Sequence, residues 1–173
     1  QLKSKGHISQ GSHPVGWCPN DGNPVGQHDT IGDIEPEIGQ YTLIKFRYDN
    51  KIIPTATLRP ETIFGVTNIW LNPNSEYVEI EIDNEKWILT KEAANNIKHI
   101  KNTGKINSFS VKELIGKNAL NPMTETEIPL LPASFVDPKN GTGIVMSVPA
   151  HAPYDFQALE DFKKTIKIDE SNF

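Results

Sequence analysis

Hydrophobic and polar residues alternate along several short segments of this chain, and turn-forming residues separate these segments. The clearest alternation covers residues 41–48, where Ile44 and Phe46 share one face and Lys45 and Arg47 the other, and it predicts a half-buried strand. A turn at 49–51 leads to a second predicted strand, 52–57. Pro54 predicts an edge or a bulge there, because proline cannot donate a ladder hydrogen bond.

Further short strands follow from the same signals, with a turn at 83–85 between two of them. They are expected at 67–71, 77–82, 86–89, 127–131, 134–136 and 144–148. Many short strands with a few interspersed helices indicate an α+β fold, with a small mixed barrel-like sheet and flanking helices.

Four segments carry helix-start signals. Pro60 can take the first position of a short helix at 59–62, and Thr90 can cap a helix that runs to about residue 101. The capping-box pattern at 110–113 predicts a short helix ended by Gly116, and Pro153 opens a last helix. The residues expected to face inward are Ala93, Ile97 and Ile100 in the Thr90 helix and Phe156, Leu159 and Phe162 in the last helix.

Residues 1–40 are rich in Gly, Pro, Asn, Asp and His with little periodicity, which predicts an irregular arm or connecting ribbon. Residues 17–19 are the expected exception, a short anchoring strand. The folded domain is expected to span 41–168. The chain begins without Met and ends abruptly, so we expect a piece of a larger protein, with 169–173 as its end.

Composition narrows the class of protein. A chain of 173 residues is long enough to bury the core of one domain. The net charge of -5, from 17 Lys and Arg against 22 Asp and Glu, excludes the broad basic surface of an autonomous nucleic-acid binder, so RNA would enter as a short end. No apolar run approaches the ~20 residues of a membrane span, and the N-terminus lacks the apolar core of a signal peptide. We therefore expect a cytoplasmic protein with no membrane partner.

A single cysteine, Cys18, excludes an internal disulfide. Cys18, Asp21, His28 and Asp29 lie close in sequence but do not form the usual ligand set of a structural zinc site, so no metal is expected. The sequence also lacks a Gly-x-Ser-x-Gly elbow and a Cys/His/Asn set, which disfavours a covalent nucleophile.

Candidate chemistry is concentrated in two segments, 55–65 and 141–155. Each puts hydroxyl residues, glycines and a charged group at a predicted strand-to-helix junction, where backbone N–H groups stay free to meet a ligand. Asp155 would lie in the first turn of the last helix, where the helix dipole favours a carboxylate. The alternative is an aspartate that matches the dipole and does nothing else.

Other residues of the two segments also carry a functional and a structural interpretation. Thr55 and Thr57 fit ordinary strand chemistry, and Thr62 fits hydrogen bonding at a helix start. The Gly-x-Gly at 141–143 either lets the backbone approach a ligand or forms a hairpin turn. His151 can move a proton near neutral pH or can be a structural hydrogen-bonding residue.

Both segments resemble the signature regions of the editing insertion of class I aminoacyl-tRNA synthetases, the leucyl, isoleucyl and valyl enzymes. The resemblance covers roughly residues 15–165 and is closest to the leucyl enzymes, and 17–21 and 24–30 look like their archaeal and eukaryotic form. The His-Ile-Gly-His and Lys-Met-Ser-Lys-Ser signatures of the synthetic site are missing. The resemblance therefore implies no cofactor in this chain, since ATP and Mg would belong to the synthetic domain.

The function implied by this resemblance is hydrolytic proofreading. The domain would accept the 3′ end of a mischarged tRNA(Leu) and cleave the ester between the amino acid and the terminal adenosine with a positioned water. Its expected partners are that RNA end with its aminoacyl group and the remainder of the synthetase chain. Two alternatives stay open: isoleucyl or valyl specificity, since the motifs are shared, and a catalytically silent domain that only binds the tRNA 3′ end.

The resemblance also implies roles for individual residues. Asp155 would anchor the α-ammonium group of the substrate, Thr62 would discriminate between amino acids, and Thr57 is the third expected catalytic residue. Leu58 stands where the family commonly has a second threonine, so no role is assigned to a second hydroxyl. Arg59 would hold the local turn by a salt bridge or lie near an RNA phosphate. The expected substrate-binding residues are Thr55, Arg59, Thr62, Gly143, Met146, Val148, His151, Tyr154 and Asp155.

Overall fold

A computed structural model of the chain describes residues 1–11, 13–18, 20–34 and 39–170, with side chains described as far as residue 164. The chain divides into two units, Gln1–Gln40 and Tyr41–Phe173. In the first unit, β1 (Gly16–Cys18) pairs antiparallel with β2 (Asn23–Val25), and a 3-10 turn covers Gln27–Asp29. The anchoring strand expected at 17–19 is therefore present as β1, while Pro19 lies outside the described residues.

The second unit is a mixed sheet with few helices, and this confirms the predicted α+β class. Its strands are β3 (Thr42–Tyr48), β4 (Lys51–Thr57), β5 (Asn68–Leu71), β6 (Tyr77–Ile82), β7 (Glu85–Thr90), β8 (Thr103–Phe109), β9 (Asn118–Leu120), β10 (Glu127–Pro132) and β11 (Ile144–Ser147). Its helices are α1 (Lys91–Ile97) and α2 (Pro153–Glu170), with 3-10 helices at Pro60–Gly65 and Val111–Glu113.

Across the described residues the nine strands follow the order β11-β5-β10-β9-β3-β4-β7-β6-β8. The pairs β5/β10 and β4/β7 are parallel and the others antiparallel. No hydrogen-bonded pair joins β11 to β8 in that part of the chain, so the sheet is open and not a closed barrel. It is nevertheless curled, because β11 at one end also contacts β4.

The main hydrophobic core is built from residues of several strands and includes Phe46, Ile53, Ile69 and Leu130, all fully buried. A second cluster forms where α1 packs on the β6/β7 hairpin. On the other face of β5, Trp70 packs against Leu159 and Phe162 of α2. Helix α2 is thereby held on the sheet, and this fixes the position of its first turn.

Several local predictions are confirmed. Strand β6 has the predicted bounds, Pro60 occupies the first turn of its 3-10 helix, and the Thr90 side chain caps α1 by accepting a hydrogen bond from the Ala93 N–H. The ladder between β4 and β7 ends at Ile52. At Pro54, β3 is therefore the one neighbour of β4 among the described strands, which suits a proline because it has no N–H to donate to a second ladder.

Other predictions are wrong, and each has a physical reason. Helix α1 ends at Ile97, so Ile100 lies beyond the helix and is 77% exposed. Phe156 is also mostly exposed, because α2 packs on the sheet through later turns. No strand forms at 134–136, and no side chain of the described residues caps the Val111–Glu113 turn. The unpredicted strand β8 is polar because, among the described strands, it is an edge strand that pairs with β6 alone and is exposed along most of its length.

Candidate functional site

The glycine-containing loop of the second motif lies where β4 and β7 diverge. Gly141 and Gly143 both have positive φ, 59° and 68°. A Cβ at Gly141 would lie 2.6 Å from the Ala56 Cβ, and one at Gly143 would lie 2.3 Å from the Thr90 Cγ2. The backbone of this loop therefore needs glycine at both positions, both for its conformation and for its close contact with the two strands.

A backbone hydrogen bond from the Thr90 N–H to the Thr142 carbonyl, at 3.3 Å, fixes the loop against the end of β7. The Thr90 hydroxyl also donates to the Pro138 carbonyl at 2.7 Å. Thr90 thus caps α1 and holds both ends of the loop, and the loop in turn leads directly into β11. These contacts bring the second motif beside the C-terminal half of β4, which carries the first motif.

The first motif is ordered by a short chain of hydrogen bonds around Arg59. The Arg59 N–H donates to the Thr57 Oγ1 at 3.0 Å, and the Thr62 hydroxyl donates to the Arg59 carbonyl at 2.7 Å. Thr62 thus makes the helix-start hydrogen bond that its position predicts. Both threonines are half-buried, so each also presents part of its side chain to solvent.

Asp155 joins the two motifs. It lies in the first turn of α2, as predicted, and its Oδ2 accepts a hydrogen bond from the Val148 N–H at 2.8 Å. Val148 in turn packs against the end of the Pro60–Gly65 helix, since a Cβ at Gly65 would lie 3.4 Å from the Val148 Cγ1. The carboxylate, the end of β11 and the Thr62 segment therefore form one contiguous region.

A second acidic residue, Glu61, lies in this region and was not among the predicted site residues. Its Oε1 accepts from the Arg59 Nε at 3.1 Å. Its own backbone N–H and the hydrogen bond from Arg59 lower the pKa of Glu61, and a positive charge on His151 lowers it further. The available sequence signal was an acidic residue in the first turn after Pro60.

The predicted substrate-binding residues differ widely in their exposure. His151 and Tyr154 are exposed, Tyr154 to 91%, and turn hydrogen bonds from the His151 and Ala152 N–H groups to the Val148 carbonyl position this segment. Met146 and Val148 are buried in the main core. Thr55 is fully buried, because strand alternation places it on the same inward face as Ile53. Its Oγ1 has no hydrogen-bond partner among the described residues.

No group of three or more His, Cys, Asp and Glu residues in the described part of the chain is arranged to hold a metal ion. The Cys18 thiol donates to the Asp21 carboxylate at 3.2 Å, and His28 lies 3.4 Å from Asp33 instead. Of the helices formed by the described residues, none has the length and hydropathy required to cross a bilayer.

Comparison with known families gives a match to the model described as "Leucyl-tRNA synthetase, editing domain" over residues 34–170. The leucine–tRNA ligase of Methanothrix thermoacetophila is 52% identical over 161 residues, which is 92% of this chain. That of Pyrobaculum calidifontis is 53% identical over 162 residues, or 93% of this chain. In both cases the chain spans 17% of the length of the relative.

Solved structures show the same similarity. The crystal structure of GlLeuRS-CP1 matches with a TM-score of 0.64 and 30% identity, covering 70% of this chain and 59% of that one. The editing domain of the P. knowlesi cytosolic leucyl-tRNA synthetase shares the fold, with a TM-score of 0.62 at 17% identity and coverage of 74% and 64%. The family match and the archaeal relatives agree with the resemblance found in the two motifs. This chain belongs to the family of leucyl-tRNA synthetase editing domains.

Proposed function

We propose that this domain hydrolyses the ester bond of mischarged tRNA(Leu), releasing the wrong amino acid and free tRNA. The observation that carries the proposal is the state of the Asp155 carboxylate. Its Oδ2 is fixed by the Val148 N–H, while its Oδ1 has no hydrogen-bond partner among the described residues. A half-buried carboxylate with one oxygen fixed and one free is suited to bind a substrate ammonium group in a defined position.

The two threonine hydroxyls are arranged with opposite hydrogen-bonding capacity. Thr57 accepts from the Arg59 N–H, so its own proton is available to the carbonyl oxygen of an ester. The Thr62 hydroxyl already donates its proton to the Arg59 carbonyl, so it can present only an oxygen lone pair and its methyl group to the substrate. The first can stabilise the negative charge that develops on the ester oxygen, and the second can contact the amino-acid side chain.

In the proposed reaction, a water oxygen attacks the ester carbonyl carbon and forms a tetrahedral oxyanion. The bond between that carbon and the ribose oxygen then breaks, and the proton lost by the water passes to the ribose oxygen. An aminoacyl ester is already reactive, so positioning of the water and of the ester can supply most of the acceleration. The exposed His151 is available to transfer the proton, as is the neighbouring ribose hydroxyl of the substrate itself.

The need for such a reaction is quantitative. A hydrophobic pocket separates side chains that differ by one methylene by only about 1–3 kcal/mol, a range known from sister synthetases, so a second site must remove the errors. Among the described residues, the exposed Arg59 forms its ion pair with the exposed Glu61, and such a pair contributes little by itself. We propose that its guanidinium exchanges this partner for a phosphate when RNA binds.

Release of amino acid from Ile-tRNA(Leu) tests the proposal, with correctly charged Leu-tRNA(Leu) as the control substrate. The 173-residue chain and the synthetase that carries this domain are both assayed, because the chain spans only part of its relatives. We expect isoleucine to be released and leucine to be spared. Binding of tRNA without release of either amino acid would favour a catalytically silent domain. Faster release of valine from Val-tRNA(Ile), or of threonine from Thr-tRNA(Val), than of isoleucine from Ile-tRNA(Leu) would favour the isoleucyl or the valyl alternative.

A further inference from the structure

A cavity that is not used in the proposed reaction opens on the sheet of the second unit. It has a volume of about 410 Å³ and is lined by residues 75–78, Lys91 and residues 108–112. We call it the β6/β8 cleft, because it opens where Tyr77 of β6 pairs with Phe109 of β8. Tyr77 also pairs with Thr90 of β7, the residue that holds the Gly141–Gly143 loop. Thr90 therefore connects Tyr77 in the cleft lining to the loop that carries Gly143, one of the predicted substrate-binding residues.

The lining of the cleft is rich in unused hydrogen-bond donors. The hydroxyl groups of Ser75, Ser108 and Ser110 and the ammonium group of Lys112 have no partner among the described residues. Ser108 and Ser110 flank Phe109 at the end of the edge strand β8, so the strand and the following turn present both hydroxyls at one end of the sheet. Hydroxyl and ammonium donors together match the oxygen atoms of a phosphate group.

The charge of the cleft also fits an anion. The Lys91 Nζ lies 2.6 Å from the Glu76 Oε2, so this pair compensates its own charge and leaves the ammonium group of Lys112 in excess. Among the residues that line the cleft, Lys112 is therefore the cation without a paired carboxylate. Glu76 is the only carboxylate among the residues that line the cleft, and its Oε2 accepts a hydrogen bond from the Lys91 ammonium group.

We propose that the β6/β8 cleft binds a backbone phosphate of the tRNA 3′ strand while the aminoacyl end of that strand occupies the candidate site. This inference rests on the proposed function, since it is that function which brings an RNA end to this edge of the sheet. One phosphate contact, linked to the Gly143 loop through Thr90, orients the strand without the broad basic surface that this acidic chain lacks.

The test compares Lys112→Ala with Lys112→Arg and with Lys117→Ala. Lys117 is the matched control, because it is an exposed lysine without a partner among the described residues and lies outside the cleft. Binding of uncharged tRNA(Leu) to the synthetase that carries this domain is measured over a range of salt concentrations. We expect Lys112→Ala to weaken binding several-fold and to reduce the slope of log affinity against log salt by about one, whereas Lys112→Arg and Lys117→Ala retain the wild-type slope.

The binding assay uses uncharged tRNA, so its outcome is independent of whether the domain hydrolyses an ester. In the deacylation assay, Lys112→Ala should raise KM for Ile-tRNA(Leu) and leave kcat unchanged, because Lys112 does not touch the ester. Equal tRNA affinity and equal salt slope in Lys112→Ala and Lys117→Ala would overturn the proposal. Binding of inorganic phosphate or AMP to the cleft is detected as NMR shifts of the Ser108 and Ser110 amides. If such binding occurs while Lys112→Ala leaves tRNA affinity unchanged, the cleft is a site for free phosphate, and this result too would overturn the RNA assignment.

Discussion

The Oδ2 atom of Asp155 lies 2.8 Å from the backbone nitrogen of Val148, and this hydrogen bond joins the first turn of α2 to the residue that follows β11. Val148 also packs against the helical segment that contains Thr62. The carboxylate therefore has a structural task in addition to its proposed role with the substrate. A substitution that removes the whole side chain would disturb both the hydrogen bond to Val148 and the proposed contact with the substrate. Different variants are therefore needed to separate the structural role from the functional one.

Asp155→Asn separates these roles, because an amide oxygen can still accept from the Val148 N–H but carries no charge. We expect the variant to keep nearly the wild-type melting temperature and to lose about tenfold to a hundredfold in deacylation of Ile-tRNA(Leu), the equivalent of one charge-assisted hydrogen bond of about 1.5–3 kcal/mol. Asp155→Ala should lose activity to at least the same extent and also lower the free energy of unfolding. Full activity of Asp155→Asn would rule out the ammonium anchor.

Thr62 offers a series of variants in which size and hydroxyl group change separately. If its methyl group excludes the branched γ-carbon of leucine, Thr62→Ala and Thr62→Ser should begin to hydrolyse Leu-tRNA(Leu), with a gain of at most roughly two orders of magnitude. Thr62→Val keeps the shape and loses only the hydrogen bond to the Arg59 carbonyl, so it should continue to spare leucine.

A larger side chain tests the same pocket from the other direction. Thr62→Phe should block release of both leucine and isoleucine by filling the space that the substrate side chain needs. The rates are compared in parallel assays with Leu-tRNA(Leu) and Ile-tRNA(Leu). If the valine variant released leucine as fast as the alanine variant, the hydroxyl group and not the methyl group would control selectivity.

Gly143 is expected to be far less tolerant of a side chain than Gly116. Both have positive φ, but a Cβ at Gly116 meets no atom within 4 Å, while one at Gly143 would lie 2.3 Å from Thr90. Gly116→Ala should therefore lower the free energy of unfolding by about 1–2 kcal/mol from backbone strain alone. Gly143→Ala should cost about 1–3 kcal/mol more, because the loop or Thr90 must move. Urea unfolding of the two variants measures the difference, and equal losses would show that the loop relaxes freely.

Glu79 should stabilise the sheet in a pH-dependent way. Its carboxylate lies 2.9 Å from the Lys51 Nζ and 3.8 Å from the Lys86 Nζ, and these two lysines face each other across β4 and β7. The hydrogen bond from Lys51 lowers the pKa of Glu79, with Lys86 contributing. Because the folded-state pKa is the lower one, the stabilisation is present above the unfolded value of about 4.3 and is lost as pH falls through the folded value.

The variant Glu79→Gln should therefore be less stable than the wild type by about 1 kcal/mol near pH 7, and the difference should disappear toward pH 3. Glu113→Gln serves as the control, since the Glu113 side chain is exposed and has no partner among the described residues. Melting temperatures of both variants and the wild type are compared across this pH range. A constant difference between Glu79→Gln and the wild type at all pH values would contradict the electrostatic origin.

Sequence alone determined those features whose signals are local. The alternation at 41–48 and at 77–82 gave two strands, the hydroxyl of Thr90 gave a helix cap, and Pro153 gave the start of α2 with Asp155 in its first turn. The two motifs were also recognisable by sequence, because each is a continuous run of residues. These predictions succeed because backbone conformation at a cap or in an alternating strand depends on neighbours within a few positions.

Tertiary structure decided which of the motif residues have exposed surface and which residues meet. Thr55 and Met146 are turned into the core, and Glu61 forms an ion pair with Arg59. Strand β8 escaped prediction because an edge strand needs no apolar face, and its existence depends on pairing with β6. The Gly141–Gly143 loop packs against Ala56 and Thr90, which lie far from it in the chain. The contact of Asp155 with Val148 depends on how α2 packs on the sheet. No local pattern encodes either contact.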